Sequence, residues 1–152
     1  MHDDYIRSNS PLATEKKAQE IGERIKGREV IELVGDLGSG KTTFIRGLAR
    51  GMNVKDLVQS PSFTLHNQYK AGDLTLHHFD FYRLSDPGIL ALELAEIIKD
   101  HQSAVVIEWP GVVKSVLSDP HVIIKLQTVG EMKRDIEIKY PKQYAYLFKR
   151  KP

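Results

Sequence analysis

The sequence contains no cysteine, which excludes disulfide bridges and thiolate metal sites. It also carries little net charge, because 22 lysines and arginines stand against 20 aspartates and glutamates, a formal charge of +2. That balance excludes a strong overall attraction to nucleic acid or to a membrane surface. No run of ~18 apolar residues is present to cross a membrane, and the first residues lack the basic and apolar segments of a secretion signal. We therefore predict a cytoplasmic protein without a membrane partner.

The remaining composition is that of an ordinary globular protein. Of the 152 residues, 41% are hydrophobic and 28% are charged. This length predicts a single domain over residues 1–152, with a basic C-terminal tail from about residue 142. The tail contains Lys149-Arg150-Lys151, near Tyr144 and Tyr146 in sequence. A solvated chain end is the favoured interpretation of this tail, and contact with RNA is the alternative.

Three segments have the apolar spacing of helices. The first, Leu12–Gly27, has Thr14 as its predicted N-cap and ends at its glycine. The second begins in the glycine-rich segment described below and has an apolar face over residues 44–52. The third has Asp86 as N-cap and Pro87 at its first position, and Ile89–Ile98 supplies its apolar face.

The predicted strands are of two kinds. Short apolar runs indicate buried strands, and alternating runs joined by glycine-containing turns indicate β-hairpins. The buried strands are Val30–Val34 and Ala104–Ile107, and the hairpins pair Phe63–Tyr69 with Leu74–Tyr82 and Val122–Leu126 with Ile136–Tyr140. Helices that alternate with both kinds of strand predict an α/β fold with a mixed β-sheet flanked by helices and with antiparallel hairpins.

A glycine-rich loop joins the first buried strand to the second helix. Gly35, Gly40, Lys41 and Thr42 satisfy the pattern Gly, four residues, Gly-Lys-Ser/Thr of a phosphate-binding P-loop. Such a loop wraps a triphosphate with backbone N–H groups, and side chains at its glycines would block that close approach. The sequence therefore predicts that ATP is bound through Asp36, Leu37, Gly38, Ser39, Gly40, Lys41, Thr42 and Thr43.

The side chains of this loop have separate predicted roles. Lys41 would reach the β- and γ-phosphates and Thr42 would place its hydroxyl on Mg²⁺, while the N–H groups around Thr42 and Thr43 complete the anion site. Two other interpretations remain open. In one, the glycine-rich segment is a turn with an incidental lysine. In the other, it is a loop that binds phosphate without hydrolysis.

A P-loop needs carboxylates to orient Mg²⁺ and to position the attacking group. Glu108 follows the carboxyl end of a buried strand, where open α/β sheets present groups to a ligand. Asp80 lies in an alternating run that places it on the same face as His78 and Tyr82. The alternative for Glu108 is an exposed glutamate at a strand end, and the alternative for Asp80 is a position on a solvated strand face. His77 and His78 point to opposite faces, so we expect packing or surface roles for them rather than a shared metal ion.

The segment Ser60-Pro61-Ser62-Phe63-Thr64 lies between the P-loop helix and the first hairpin. A hydroxyl-rich loop at this place is typical of a switch that orders when γ-phosphate and Mg²⁺ are present. A proline turn that enters a strand explains the same residues equally well.

Four blocks together resemble the TsaE family, also called YjeE. They are Gly35-Asp-Leu-Gly-Ser-Gly-Lys-Thr-Thr43, Ser60-Pro-Ser-Phe-Thr64, His78-Phe-Asp-Phe-Tyr-Arg-Leu84 and Ile107-Glu-Trp109. The resemblance implies an ATPase, with ATP and Mg²⁺, that is needed for N6-threonylcarbamoyladenosine at position 37 of tRNA. It also implies TsaD and TsaB as partner proteins, with tRNA met through their complex.

The resemblance also implies roles for individual residues. It places Lys41 and Thr42 at the phosphates and Mg²⁺, makes Asp80 and Glu108 the acids of the hydrolytic site, and puts Trp109 beside the nucleotide. Two weaker correspondences place Thr14 in contact with the nucleotide and Arg134 near the phosphates, where a surface arginine is an equal alternative.

Three other functions are alternatives to this prediction. A small-molecule kinase of the same fold needs an acceptor pocket and usually an arginine-rich lid, and no arginine cluster follows the third helix in the sequence. A guanine-nucleotide switch needs an Asn-Lys-x-Asp segment, which is absent. A nucleotide-gated interaction module would bind ATP only to dock a partner.

Overall fold

The computed structural model describes residues 1–36, 38–61, 64–86, 88–117 and 120–148. Within these ranges the chain forms a seven-stranded sheet with three α-helices. The strands are β1 (His2–Ser8), β2 (Val30–Val34), β3 (His66–Ala71), β4 (Leu74–Asp80), β5 (Ser103–Glu108), β6 (Val122–Thr128) and β7 (Arg134–Tyr140), and the helices are α1 (Pro11–Gly22), α2 (Lys41–Gly51) and α3 (Gly88–Ile98). The basic residues Lys149-Arg150-Lys151 lie outside the described part of the chain.

The sheet is mixed, as predicted. Its spatial order is β1-β7-β6-β2-β5-β4-β3. The inner strands β6, β2, β5 and β4 run parallel to one another. The two predicted hairpins, β3–β4 and β6–β7, are antiparallel and are confirmed. The carboxyl ends of β2, β4 and β5 therefore meet at one edge of the sheet, which is where the P-loop begins.

Helices cover both faces of the sheet. On one face α1 and α2 pack over a core that includes Ile31, Phe44 and Ile124, and on the other face α3 packs over Phe79 and Ile107. The two helices on the first face approach very closely. A Cβ at Gly47 of α2 would lie 2.2 Å from the backbone oxygen of Glu15 in α1, so only glycine fits there. This contact fixes the helix that follows the P-loop.

The first helix is shorter than predicted. Its N-cap is Ser10, whose side chain accepts a hydrogen bond of 3.1 Å from the N–H of Ala13, so the prediction of Thr14 as N-cap is wrong. Pro11 fits the first helical position, which explains why the helix starts early. The helix also ends at Gly22 rather than at Gly27, which lies beyond it with a φ of 117°.

Strand β1 was not predicted. It pairs antiparallel with β7 from His2 to Ser8 and lies at the edge of the sheet. Its sequence, His-Asp-Asp-Tyr-Ile-Arg-Ser, is mostly polar and its side chains are largely exposed, so it lacks the apolar alternation of a half-buried strand. The start of α3 follows the prediction in part, because Asp86 accepts a hydrogen bond of 3.0 Å from the N–H of Gly88, while Pro87 lies outside the described residues.

Across the described ranges, no helix has both the length and the apolar character needed to cross a membrane.

Candidate functional site

The P-loop connects β2 to α2 in a conformation that suits anion binding. Gly40 is the residue before α2 and has a φ of 99°, and Gly38 has a φ of 80°. Residues with a Cβ rarely adopt these φ values, which explains the glycines at these two positions. No side chain caps α2, so the first N–H groups of the helix, on Lys41, Thr42 and Thr43, are available to a bound anion.

A cavity of about 430 Å³ lies in front of this loop. Its size falls in the range of about 300–1,000 Å³ that is typical of small-molecule sites. The structure brings most of the predicted site residues together around it: Thr14, Gly38, Gly40, Lys41, Thr42, Thr43, Asp80, Glu108, Trp109 and Arg134. Of the other predicted residues, Ser39 is buried behind the loop, Asp36 is exposed outside the cavity lining, and Leu37 lies outside the described residues.

Lys41 is almost entirely buried at the base of the cavity, with 7% of its surface exposed. Its Nζ donates a hydrogen bond to the backbone oxygen of Gly35 and lies 3.7 Å from Oε1 of Glu108. The same nitrogen lies 4.7 Å from the centre of the Trp109 ring, within cation–π distance. A buried ammonium group of this kind is a strong point of attraction for phosphate oxygens.

Glu108 is buried at the end of β5, with 5% of its surface exposed. Its Oε2 lies 2.6 Å from Nε2 of His78, which is only 1% exposed. The sequence indicated that His78 shares a face with Asp80, but it gave no sign of this contact. The contact depends on the parallel pairing of β4 with β5, in which Asp80 lies opposite Glu108.

Asp80 ends β4 and lies at the edge of the cavity, where it is partly exposed. Its Oδ1 accepts a hydrogen bond of 3.0 Å from the N–H of Tyr82. Burial raises the pKa of Asp80, and the negative charge of Glu108 raises it further, while the N–H of Tyr82 and the positive charge of Lys41 oppose the shift. Asp80 lies opposite Glu108 on the neighbouring strand, and a cation bound near both carboxylates would relieve this repulsion.

The described residues contain no cluster of three or more His, Asp or Glu side chains that is suited to hold a metal ion by itself. Mg²⁺ usually takes one or two protein carboxylates and fills its other positions with substrate phosphates and water. Thr42, Asp80 and Glu108 line the same cavity and carry hydroxyl and carboxylate oxygens, which are the type of ligand that Mg²⁺ prefers.

Arg134 connects the second hairpin to the P-loop. Its Nε donates to the backbone oxygen of Ser39 at 2.8 Å, and its Nη2 donates to the oxygen of Gly38 at 3.3 Å. Its Nη1 bonds backbone oxygens of its own turn, including that of Lys133 at 2.8 Å. The guanidinium group of Arg134 therefore holds the backbone of the loop that the cavity faces, and its role near the phosphates stays a prediction.

The remaining predicted residues contribute to the walls of the cavity. Trp109 has a φ of 55°, and its ring centre lies 5.0 Å from that of Tyr82. Thr14 is buried and shares a hydrogen bond of 2.7 Å with Ser8, so its hydroxyl already has a partner. Ser60 also lines the cavity, but Ser62 and Phe63 lie outside the described residues, so the predicted switch segment stays a prediction.

The sequence is similar to known proteins of one family. A sequence model of the TsaE family, described as threonylcarbamoyl adenosine biosynthesis protein TsaE, matches residues 8–136. The tRNA threonylcarbamoyladenosine biosynthesis protein TsaE of Bacillus subtilis is 34% identical over 130 residues, covering 86% of this chain and 81% of that protein. The protein of the same name from Nostoc sp. is 42% identical over 92 residues, covering 59% of this chain and 57% of that protein.

The fold is also similar to a solved structure. The crystal structure of YdiB from Bacillus subtilis superposes with a TM-score of 0.79 at 28% sequence identity, over 96% of this chain and 91% of that chain. This similarity over nearly the whole chain confirms the predicted α/β fold of the P-loop type.

Proposed function

The chain belongs to the TsaE family, and from this premise we propose that it is a Mg²⁺-dependent ATPase that serves N6-threonylcarbamoyladenosine modification of tRNA at adenosine 37. It acts with TsaD and TsaB in the cytoplasm, and it meets tRNA through their complex. Residues 1–152 act as one nucleotide-binding domain. Its hydrolysis is weak alone and is coupled to the partner proteins.

One observation carries the catalytic part of the proposal. Lys41 and Glu108 are both buried, and their charged groups lie 3.7 Å apart where a P-loop meets the end of a parallel strand. Burial of charged groups is costly, so folds keep them mainly where a ligand or a reaction uses them. The neighbouring Asp80 adds a second carboxylate, which a packing role would not require.

In this proposal each of these residues has a separate role. The N–H groups at the start of α2 and the ammonium of Lys41 bind the β- and γ-phosphates. Thr42, Asp80 and Glu108 would hold Mg²⁺, which neutralises charge on the phosphate oxygens when it is bound. Asp80 is the more exposed of the two carboxylates and would orient the attacking water, while Glu108 is buried against Lys41.

A nucleotide-gated docking module is the second candidate, because α3 exposes apolar side chains. Ile89 is 70% exposed and Leu92 is 69% exposed, three residues apart on one side of the helix. Such a surface suits a protein partner and is compatible with either function. The kinase alternative has less support, since Arg134 is engaged by backbone oxygens rather than placed on a lid.

The decisive experiment measures phosphate release from ATP by the wild type, by Lys41→Ala and by Arg46→Ala, each with and without TsaD–TsaB. Arg46 is an exposed residue of the same helix, so its variant is a matched control for loss of a positive charge. We expect hydrolysis that TsaD–TsaB stimulates, that Lys41→Ala abolishes and that Arg46→Ala retains. Absence of hydrolysis in every mixture would favour the docking module, and phosphate transfer to a small acceptor would favour the kinase.

A further inference from the structure

His78 is the most deeply buried charged or titratable partner of the site and has no role in the proposed function so far. It lies in β4 and is 1% exposed, with its Nε2 2.6 Å from Oε2 of Glu108. Polar side chains in protein interiors are normally retained only when their hydrogen bonds are satisfied. This bond joins β4 to the carboxylate of Glu108, which also lies beside Lys41.

The other ring nitrogen indicates which tautomer is present. Nδ1 of His78 is buried and has no hydrogen-bond partner among the described residues. A buried lone pair without a partner costs less than a buried N–H without one, because only the N–H leaves an unpaired donor. The proton therefore belongs on Nε2, where it is donated to Oε2 of Glu108.

This bond leaves the two oxygens of Glu108 in different situations. Oε2 is engaged by His78, and Oε1 is the oxygen that lies 3.7 Å from Nζ of Lys41 at the cavity. A carboxylate held at one oxygen cannot rotate freely about its last bond. Oε1 is therefore kept towards the place where phosphate and cation would meet.

We propose that His78 is a positioning residue for the nucleotide site: it orients Glu108 so that Oε1 is ready to bind the divalent cation that accompanies ATP. This inference rests on the proposed function, since it assumes that Glu108 serves a cation. Hydrogen-bond partners of this kind typically contribute about 10–100-fold to metal affinity or activity when they are removed.

The neighbouring histidine provides a matched control. His77 is also buried in β4 but faces the opposite side of the sheet, where its Nδ1 lies 2.9 Å from Nε2 of His66. His77→Gln thus removes a buried imidazole from the same strand without touching Glu108. A general weakening of β4 would affect both variants alike.

The test measures how much Mg²⁺ strengthens binding of a non-hydrolysable ATP analogue, by calorimetry with Mg²⁺ and with chelator. We expect His78→Leu to reduce the Mg²⁺-dependent gain in affinity by about tenfold and to leave binding in chelator unchanged. His78→Gln, whose amide nitrogen can replace Nε2 as the donor, should restore the gain to within about threefold of wild type. His77→Gln should bind as the wild type does.

Several outcomes would overturn the inference. They are an unchanged Mg²⁺ gain in His78→Leu, an equal loss in His77→Gln, or no Mg²⁺ gain in the wild type. A wild type that shows the Mg²⁺ gain but hydrolyses nothing would contradict the proposed ATPase and leave the role of His78 supported. In steady-state assays in chelator-free buffer, His78→Leu should lower kcat by a larger factor than it raises KM for ATP.

A second measurement does not depend on whether His78→Leu folds. Long-range nitrogen–proton NMR spectra of the wild-type protein distinguish the two histidine tautomers, and we expect the proton of His78 on Nε2. A proton on Nδ1 would overturn the inference, because Nε2 would then have nothing to donate to Glu108.

Discussion

The two faces of strand β4 use the same kinds of residue for different ends. On one face His78 and Asp80 lie beside Glu108 at the cavity. On the other face His77 bonds His66 at 2.9 Å and lies 3.3 Å from Ser103, and Phe79 stacks on His66 with ring centres 4.0 Å apart. The first face concentrates charged groups at the cavity. On the second face the polar groups are paired with one another within a packed layer under α3.

The pKa values of the two faces reflect this difference. Burial and, to a smaller extent, the charge of nearby His66 lower the pKa of His77 to about 4, so this histidine is neutral at pH 7. At the cavity, burial instead raises the pKa of Asp80, with a further contribution from Glu108. The packing face has thus lost its charge, while the cavity face keeps carboxylates in a costly arrangement. That cost is reasonable only if the carboxylates serve a ligand.

The largest expected effect is on the packing face. Phe79→Ala removes a fully buried ring between His66 and Phe81, and we expect a loss of about 3–5 kcal/mol in the free energy of unfolding. Urea denaturation measures this loss, with the milder Phe79→Leu as the control. ATP hydrolysis per folded molecule should stay within about twofold of wild type, since Phe79 points away from the cavity. A much larger loss of hydrolysis in the folded fraction would remove the contrast between the faces.

The next effect is on the cavity face. Glu108→Gln removes the charge beside Lys41 but keeps an oxygen that can accept from His78. We expect ATP hydrolysis to fall by about 100-fold, similar to the loss of one preorganised electrostatic group at other active sites. Hydrolysis is compared per folded molecule, because the variant leaves Lys41 buried without this counter-charge and the urea midpoint should also fall. Wild-type hydrolysis by this variant would mean that Glu108 has only a structural role.

A smaller effect should appear in the pH dependence of stability. The folded-state pKa of His77 is about 4, below the ordinary value of 6.5, so the unfolded chain binds a proton more readily. Neutral His77 contributes fully to the free energy of unfolding above pH ~6.5, and this contribution is lost as pH falls from ~6.5 to ~4. In His77→Gln the free energy of unfolding should fall less steeply with pH over this window. The difference in slope corresponds to at most about one proton taken up on unfolding. Equal slopes in titrated urea melts would contradict the assignment.

Local sequence patterns were sufficient for the parts of the molecule that depend on near neighbours. The P-loop, the two hairpins and the buried strands β2 and β5 follow from spacing within a few residues, and each is present. The N-cap of α1 is Ser10 rather than the predicted Thr14, because a serine followed by a proline is the stronger signal for a helix start. Such boundary errors are common where two hydroxyl residues compete as caps.

The missing parts depend on pairings between distant segments. Strand β1 forms only because β7, more than a hundred residues later, offers it an edge. The bond between His78 and Glu108 spans 30 residues and depends on the register of β4 against β5. Arg134 reaches the P-loop across a separation of 95 residues. No periodicity in a single sequence encodes these registers, so the cavity could be predicted by type but not in its internal contacts.

One measurement tests most directly the claim that the cavity face carries the chemistry. Asp80 and Asp100 each accept a hydrogen bond of 3.0 Å from the N–H two residues later, but Asp100 lies with Ser103 near the packing face. The measurement is ATP hydrolysis per folded molecule for Asp80→Asn and Asp100→Asn. We predict at least about a tenfold loss for Asp80→Asn and a change within about twofold for Asp100→Asn. Equal rates in the two variants would contradict the account.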